Sequence, residues 1–552
     1  IAIGAEWYDG SSTYGAPGYC LQGINSIAIG TSAGETYQGQ FSIAIGFNAG
    51  ALTQQSNAIA IGTRAGLNGQ ACYSLAIGHE AGRDQSQEFS IALGYQAGIT
   101  SQSVYAIAIG HQSGKQQGPD CVAIGSEAGS VFQGGYNVAV GYQAASNGQQ
   151  PYSIAIGSEA GKNFQSSNTI AIGEKAGYHS QCTRAIAIGK ETGYTFQGTN
   201  SIAIGNFAGQ TNQGTNAIAI GVLAGQQLQG QNGVAIGNAA GQTNQAASSV
   251  AIGVSAGSAT QGASAVAVGD RAGQFTQGIQ TVAVGVQAGQ FNQQANSVAI
   301  GVLSGQYSQQ ASAVAIGNGS AQTNQGVNSV AIGTAAGQST QGGTAVAIGF
   351  QAGQALQKAE AVAVGQLAGQ TNQQDYAVAI GSGAGKQSQG VSSVAVGRVA
   401  GQTGQGGYSI AIGENAGGNT QGATSISIGY FAGYTNQGID AIAIGDNAGS
   451  GTQAQYAIAV GYQAGNNRQG LSSVAIGDNA GAGTQGDIGI AIGYFAGATR
   501  QGNDAIAIGD NAGIGTQGAN AIAIGYTAAT VLQGQFAISI GSNAGNSNQG
   551  FN

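Results

Sequence analysis

Residues 202–217 read IAIGNFAGQTNQGTNA, and residues 218–233 repeat the pattern as IAIGVLAGQQLQGQNG. The motif I/V-A-I/V-G, with few exceptions, recurs in 34 copies along the chain. Its spacing is 16 residues, broken by an insertion after Gly4 and by one missing residue between Gly110 and Gly125. A fixed period of this length is typical of solenoid architectures, in which each repeat stacks on its neighbours.

Each repeat carries strand and turn signals at fixed positions, which we count from the motif glycine as position 0. Branched residues at −3 and −1 alternate with a small residue at −2, a period of two that predicts a β-strand. Glycines at the borders supply turns, as at Gly205, Gly209, Gly214 and Gly221. The repeat therefore predicts an all-β fold, a single parallel β-solenoid with 16 residues per coil, about 34 coils and one continuous domain over 1–552.

The alternation also leads to an expectation about the core. At about 4.8 Å per coil the solenoid would be a rod on the order of 160 Å long. We expect the Ile and Val side chains at −3 and −1 to point inward and to form the core. The Ala at −2 would then point outward and form a flat stripe that packs against another sheet.

A glutamine recurs at +8 in nearly every repeat. Amide side chains stacked at the coil spacing can hydrogen-bond along the axis, each donating to the next. We therefore predict a structural glutamine ladder rather than a ligand site at this position. Its representative members are Gln38, Gln54, Gln197, Gln213, Gln229, Gln245, Gln261 and Gln277.

The composition excludes several classes of protein. The 552 residues include 102 Gly, only 6% charged residues and 42% hydrophobic residues, with a formal net charge of −8. Clustered Lys and Arg for phosphate contacts are missing, so nucleic acid is not an expected partner. No apolar run reaches the roughly 18 residues of a membrane span, and membrane insertion is not expected either.

The four cysteines, Cys20, Cys72, Cys121 and Cys182, lie in the first third of the chain. Cys72 and Cys121 are three coils apart, roughly 14 Å, which is too far for a disulfide within one solenoid. They are predicted to be free thiols or to form intermolecular disulfides, unless Cys20 reaches Cys72 through the insertion.

The insertion at 5–26 is the one irregular segment, and it holds the only Trp of the chain. Its aromatic residues are Trp7, Tyr8, Tyr14 and Tyr19. We interpret it as a cap over the exposed strand edge or as a docking element.

Candidate catalytic chemistry is sparse. The histidines are scattered, and Asp446, Asp478 and Asp510 share position +1 on alternate coils, about 10 Å apart, which indicates a row of solvated charges. No spacing suggests a metal site, and the short loops build no cleft. The sequence predicts no enzymatic activity, no catalytic residue, no cofactor and no metal.

The string S-V-A-I-G-x-x-A, as at 249–256, resembles the head repeats of YadA-like trimeric autotransporter adhesins. That resemblance implies a left-handed parallel β-roll that trimerises, although the Ala-Gly and Gln-Gly halves and the 16-residue period differ from that family's shorter repeat. The I-A-I-G-x-x-A repeats are also similar to those in fibre proteins of phages and giant viruses. There they imply a rigid spacer on a particle surface.

Two functions follow as hypotheses. The first is a structural fibrous protein, a rigid subunit of an extracellular filament, fibre or sheath that assembles by end-to-end stacking and lateral packing of identical copies. The alternative is an adhesin head or viral attachment fibre, trimeric and in contact with a glycan or a cell surface. Both place the protein outside the cell or on a particle surface.

Overall fold

The computed structural model describes residues 1–3 and 22–550. It confirms an all-β chain whose parallel strands stack as a β-solenoid of about 32 turns with about 16 residues per turn. Two compact units divide the chain, Ile1–Thr276 and Gln277–Asn552, and both are built from the same coil. The predictions of one continuous domain over 1–552 and of a left-handed coil stay predictions.

Most of the insertion at 5–26 lies outside the described residues. These residues include Cys20 and the aromatic side chains Trp7, Tyr8, Tyr14 and Tyr19. The interpretation of the segment as a cap or docking element therefore stays a prediction.

Every motif copy forms a short strand, almost always of three residues. In chain order these strands are Ala2–Ile3, Ile27–Ile29, Ile43–Ile45, Ile59–Ile61, Leu75–Ile77, Ile91–Leu93, Ile107–Ile109, Val122–Ile124, Val138–Val140, Ile154–Ile156, Ile170–Ile172, Ile186–Ile188, Ile202–Ile204, Ile218–Ile220, Val234–Ile236, Val250–Ile252, Val266–Val268, Val282–Val284, Val298–Ile300, Val314–Ile316, Val330–Ile332, Val346–Ile348, Val362–Val364, Val378–Ile380, Val394–Val396, Ile410–Ile412, Ile426–Ile428, Ile442–Ile444, Ile458–Val460, Val474–Ile476, Ile490–Ile492, Ile506–Ile508, Ile522–Ile524 and Ile538–Ile540.

A second strand ends at the +8 residue in most coils. In chain order these strands are Asn68–Gln70, Asp84–Ser86, Ser101–Gln102, Gln116–Gln117, Val131–Gln133, Asn147–Gln149, Asn163–Gln165, His179–Gln181, Thr211–Gln213, Gln227–Gln229, Thr243–Gln245, Thr260–Gln261, Thr276–Gln277, Asn292–Gln293, Thr323–Gln325, Ser339–Gln341, Ala355–Gln357, Thr371–Gln373, Gln387–Gln389, Thr403–Gln405, Asn419–Gln421, Thr435–Gln437, Thr452–Gln453, Arg468–Gln469, Thr484–Gln485, Arg500–Gln501, Thr516–Gln517 and Leu532–Gln533.

Within each unit, strands pair in parallel with the equivalent strand one coil away. In the first unit Ile202–Ile204 pairs in register with Ile218–Ile220. In the second unit Val378–Ile380 pairs in the same way with Val394–Val396. Identical positions therefore form columns with one residue per coil, at a spacing of about 4.8 Å.

The coil turns its corners through left-handed backbone at non-glycine residues. In the coil that starts at Gly205, Phe207 (+2), Asn212 (+7) and Asn216 (+11) have φ of 61°, 53° and 57°. Positions +2 and +11 keep this conformation along the chain, even where a branched residue such as Val399 occupies them, at φ 63°. The stacked hydrogen bonds of each coil hold residues in a region that side chains normally avoid.

The expectation about the core is wrong, because the strand faces are reversed. The Ala at −2 is fully buried, as at Ala203 and Ala219, whereas the branched residues on both sides of it are half-buried or exposed, as at Ile220. Inside the coil lie the Ala at −2, the Ala at +3 and the Gln at +8. The Ala stripe is thus the core, and the Ile and Val columns form the outer surface.

The width of the coil interior explains the reversal. Gly209 faces the glutamine column so closely that a Cβ built there would lie 2.9 Å from Gln213 Oε1 and 3.2 Å from the Ala203 Cβ. The glutamine side chains already fill the space between the two sheets, and only small residues fit opposite them. Two branched side chains per coil would overpack this interior.

Candidate functional site

The outward Ile and Val residues at −3 and −1 form a continuous apolar surface in each unit, which we call the Ile/Val ribbon. In the second unit Ile442 lies beside Ile458, and Ile444 beside Val460, in the register of the paired strands. The exposed fraction is 37% for Ile444 and 39% for Ile476. Parallel sheets normally have both faces covered, so a half-exposed apolar ribbon on a parallel sheet is unusual.

The glutamine column lies inside the coil. Gln213 donates through Nε2 to the Ile202 carbonyl at 2.8 Å and to Oε1 of Gln229 at 3.1 Å. Gln229 repeats the pattern with Ile218 and Gln245. Where both bonds form, the amide nitrogen joins the opposite strand to the next coil inside a dry interior. The side-chain oxygen of Gln213 itself is buried and has no hydrogen-bond partner among the described residues.

The other predicted ladder residues occupy the same place, and all are buried. Gln38 donates to Gln54, and Gln277 donates to Gln293, both at 3.3 Å. Among the other predicted members, Gln54 donates to Gln70 at 3.1 Å, Gln245 donates to Gln261 at 3.2 Å, and Gln197 accepts from Gln181 at 3.0 Å.

The ladder is interrupted after Gln197, whose Nε2 donates to the Ile186 carbonyl at 2.6 Å and not to Gln213. It is interrupted at other coils as well, where a buried side-chain atom has no partner among the described residues, at Gln102, Gln149, Gln165, Gln405, Gln421, Gln501 and Gln517.

In two copies of the motif a Ser replaces the buried Ala at −2, and the glutamine ladder accommodates it by hydrogen bonding. Ser427 replaces Ala at −2, accepts a hydrogen bond from Gln421 Nε2 at 3.3 Å, and donates to Gln437 Oε1 at 2.6 Å. Ser539 stands between Gln533 and Gln549 in the same way. A hydroxyl is accepted inside the coil because the glutamines on both sides bond to it.

The turn glycines lie where the backbones of successive coils approach closely. Gly205 has φ +125°, and a Cβ there would lie 2.6 Å from the Gly221 carbonyl oxygen. Gly221 has the same relation to Gly237, at 2.5 Å. At Gly214 a Cβ would lie 2.6 Å from the Gln231 nitrogen, and Gly209 packs against the glutamine column.

The cysteines Cys72, Cys121 and Cys182 are free. Cys121 is buried and donates to the Gly134 carbonyl, and its burial raises the pKa of the thiol. Burial also raises the pKa of Cys182. A buried, protonated thiol is a poor nucleophile, which argues against a disulfide from Cys121 to another chain.

Sequence reasoning missed the aromatic stacks. Tyr73, Phe89 and Tyr105 occupy position +11 of successive coils and stack with ring centroids 5.1 Å apart. At position +1, Tyr95 stacks between His79 and His111. The signal was the recurrence of aromatic residues at one position in adjacent coils. Because neighbouring rings cover each other's faces, mainly ring edges meet solvent within a stack.

A buried carboxylate in the first unit has several partners. Glu80 accepts hydrogen bonds from Gln96 at 2.9 Å and from Arg64 at 3.2 Å, and Arg83 lies 3.5 Å away. The hydrogen bond from Gln96, together with Arg64 and Arg83, lowers the pKa of Glu80 although its burial acts in the opposite direction. The cluster joins three successive coils through position +2.

Among the described residues, no group of three or more His, Cys, Asp and Glu is placed to hold a metal ion. Likewise, the part of the chain that the structure describes contains no helix long and apolar enough to cross a membrane.

A coil with a small-residue interior, a buried amide ladder and an outward apolar ribbon defines a β-solenoid repeat protein. The family model for the YadA head domain repeat matches residues 38–65, 138–160 and 485–512. The resemblance to YadA-like head repeats is therefore confirmed. No curated protein matches the chain.

Proposed function

We propose that this chain is an adhesin-like structural segment on a cell or particle surface, whose copies associate through the Ile/Val ribbon. The proposal rests on the orientation of the motif strand. Its inward face carries the buried Ala, and its outward face leaves two branched aliphatic side chains per coil half-exposed. The matches to the YadA head domain repeat support the adhesin-like assignment. The proposed role of this segment is mechanical, and a mechanical role requires no catalytic residue.

The size of the ribbon favours association. Apolar burial contributes about 25 cal/mol per Å², and the gain adds over coils that keep one register. In the second unit the register is unbroken from Val282–Val284 to Ile538–Ile540. Contiguous apolar patches larger than a few hundred Å² mark interaction surfaces in soluble proteins. A second copy presents the same ribbon with the same coil spacing and is therefore a matched partner.

The number of copies separates two versions of this function. A closed assembly of three copies would be an adhesin head, in agreement with the resemblance to trimeric autotransporters. An open-ended assembly would be a filament, fibre or sheath, which the uniform repeat also suits. In the adhesin version the molecule contacts a glycan or a cell surface. The covered ring faces of the Tyr73–Phe89–Tyr105 stack do not favour sugar stacking there.

Sedimentation equilibrium of the full chain tests the proposal. We expect an oligomer at micromolar concentration that persists at high salt, because burial of apolar surface is not screened by ions. Three copies would support the adhesin head, and a concentration-dependent series would support the filament. A monomer at all concentrations would contradict self-association.

A ribbon variant identifies the surface. Threonine keeps the branched shape and the strand preference but adds a hydroxyl to each side chain. We expect a Thr series to shift dissociation to at least about ten-fold higher protein concentration, about 1.4 kcal/mol in the association free energy. The substituted residues are Ile442, Ile444, Ile458, Val460, Val474, Ile476, Ile490, Ile492, Ile506 and Ile508.

The matched control carries Thr at exposed aliphatic residues outside the ribbon, namely Val327, Ile439, Leu471 and Ile488. It should associate like the parent chain. Equal loss of association in both variants would remove the ribbon from the interface.

A further inference from the structure

Two surface columns of the second unit alternate with the same two-coil period. At position +1 an aromatic ring and a carboxylate alternate over seven coils. These residues are Tyr430, Asp446, Tyr462, Asp478, Tyr494, Asp510 and Tyr526, and all of them are exposed. We call this set the Tyr/Asp column.

The backbone holds the Tyr/Asp column in place. The carbonyl of Asp446 accepts the Gln463 amide at 2.8 Å, and that of Asp478 accepts the Phe495 amide at 2.9 Å. The carbonyl of every member accepts the equivalent backbone amide of the next coil. Adjacent members are therefore one coil apart, about 4.8 Å. Successive carboxylates therefore lie about 9.6 Å apart along the axis.

Each carboxylate is oriented by the asparagine that follows it. Asn447 donates to one oxygen of Asp446 at 2.6 Å, and Asn511 donates to Asp510 at 2.7 Å. Asn479 does the same for Asp478. None of the three carboxylates forms an ion pair with another described residue, in contrast to Glu414, which pairs with Arg398. Three oriented acceptors remain without a cation.

The second column lies at position +7, on a different corner of the coil. Thr452, Arg468, Thr484, Arg500 and Thr516 stand in register on paired strands. We call this set the Thr/Arg column. Both guanidinium groups are exposed, and neither has an ion pair or a side-chain hydrogen bond with a described residue. Arg468 and Arg500 are 32 residues apart in sequence, the same spacing as Asp446 and Asp478.

We propose that the Thr/Arg column of one copy docks on the Tyr/Asp column of a second copy. The columns are complementary coil by coil, since each Arg would face an Asp while each Thr faces a Tyr. An Arg–carboxylate pair forms charge-assisted, bidentate hydrogen bonds. The Tyr rings on both sides of each Asp add cation–π contacts to the bound guanidinium.

This contact differs in kind from the Ile/Val ribbon and goes beyond the proposed function. It joins two different surfaces, so every docked copy keeps one unused column for the next copy. Side-by-side contacts of this type propagate into bundles or sheets. The two-coil period also fixes the axial offset between neighbours to steps of about 9.6 Å, because any odd step places Arg against Tyr.

Salt dependence separates the two interfaces. Exposed ion pairs weaken when the Debye length falls from about 14 Å to about 4 Å, as it does between about 0.05 M and about 0.5 M salt. We expect sedimentation velocity of the full chain to show large laterally associated species at low salt. At high salt these should dissociate to the ribbon assembly. A single ribbon assembly at both salt concentrations would overturn the column contact, whereas a monomer at both would overturn the proposed function.

A charge exchange tests the pairing itself. One variant carries Arg468→Glu and Arg500→Glu, and the other carries Asp446→Arg, Asp478→Arg and Asp510→Arg. Each variant alone should lose the low-salt species, because both of its columns then carry charge of the same sign. An equimolar mixture should recover them, since the acidic columns of one variant face the basic columns of the other.

The control variant carries Lys358→Glu and Lys386→Glu, which changes the net charge as much as the Arg variant but leaves both columns intact. It should associate like the parent chain. Circular dichroism checks that each variant keeps the β-solenoid, and Arg468→Gln with Arg500→Gln gives a milder version should the Glu variant unfold. Failure of the mixture to recover association would overturn the proposal.

Discussion

The side-chain nitrogen of Gln229 lies 3.1 Å from the side-chain oxygen of Gln245 one coil later, and both residues are buried. Gln245 in turn donates to the Val234 carbonyl at 2.8 Å and to Gln261 at 3.2 Å. An amide in this position holds together the two sheets of its own coil and the stack of coils. Most of its bonding partners are themselves buried and have no access to water.

Gln245→Leu should therefore destabilise the coils around it. The change leaves the buried Gln261 oxygen without its donor, at about 1–3 kcal/mol for a buried unsatisfied group, and removes one donor from the partly buried Val234 carbonyl. Hydrogen–deuterium exchange of the amides between 229 and 261 should accelerate accordingly, because repeat proteins open locally. Gln231→Leu, an exposed change in a neighbouring coil, is the control. Equal exchange in both variants would show that the ladder adds no stability.

Gly205→Ala should be among the most damaging single changes. The new Cβ would lie 2.6 Å from the backbone oxygen of Gly221, at a φ of +125° that other residues rarely adopt. Because backbone cannot move aside as a side chain can, we expect a loss above about 4 kcal/mol, measured as early local unfolding in urea. At Gly148 the nearest atom to a Cβ is Phe164 Cδ1, at 3.6 Å. Gly148→Ala should cost only about 1–2 kcal/mol, the strain of φ +71°. Comparable losses at the two sites would contradict the close-approach argument.

The sequence was sufficient to predict the coil length, the parallel register and the stacked glutamines. All three depend on the period alone, since equal spacing places equal residues in one column. The period also showed that Ile202 and Ile204 share one face and that Ala203 takes the other. It could not show which face is inside, because an alternation of two is the same pattern whichever side is buried.

Which face of the strand points inward depends on the width of the coil interior, and that width is a tertiary property. The Gln213 side chain spans the coil and leaves room for Ala203 and Gly209 only. One signal in the sequence did point to this arrangement. Position −2 never holds a residue larger than Ala or Ser, whereas an exposed position would accept a wider range. The residue types at the corners are a weaker signal of left-handed backbone. Asn is common there, but Val399 and Ile488 occupy the same corner positions.

Val399→Asn should stabilise the second unit. Val399 has φ +63°, a conformation that is costly for a β-branched residue and readily adopted by Asn. Asn415 already holds the same position one coil later, at φ 58°. We expect a gain of about 1 kcal/mol, seen as slower amide exchange between residues 383 and 415. Val391→Asn, at a corner residue of the preceding coil without positive φ, should bring no gain. A loss of protection in Val399→Asn would show that the packing of the valine outweighs the backbone strain.

Acidification should loosen the coils around Glu80 before the rest of the first unit. The hydrogen bond from Gln96 and the charges of Arg64 and Arg83 lower the pKa of this carboxyl in the folded chain below its ordinary value of 4.5. A carboxyl with a lowered folded pKa contributes stability that is fully present above the unfolded pKa and is lost as pH falls through the folded pKa. Amide exchange between residues 64 and 96 should therefore rise, after correction for intrinsic rates, as pH falls below 4.5. Glu80→Gln should remove this pH dependence while lowering protection at neutral pH, and Glu88→Gln, an exposed change in the same coil, should leave the dependence in place. The same rise in exchange in Glu80→Gln would assign the acid sensitivity to another group.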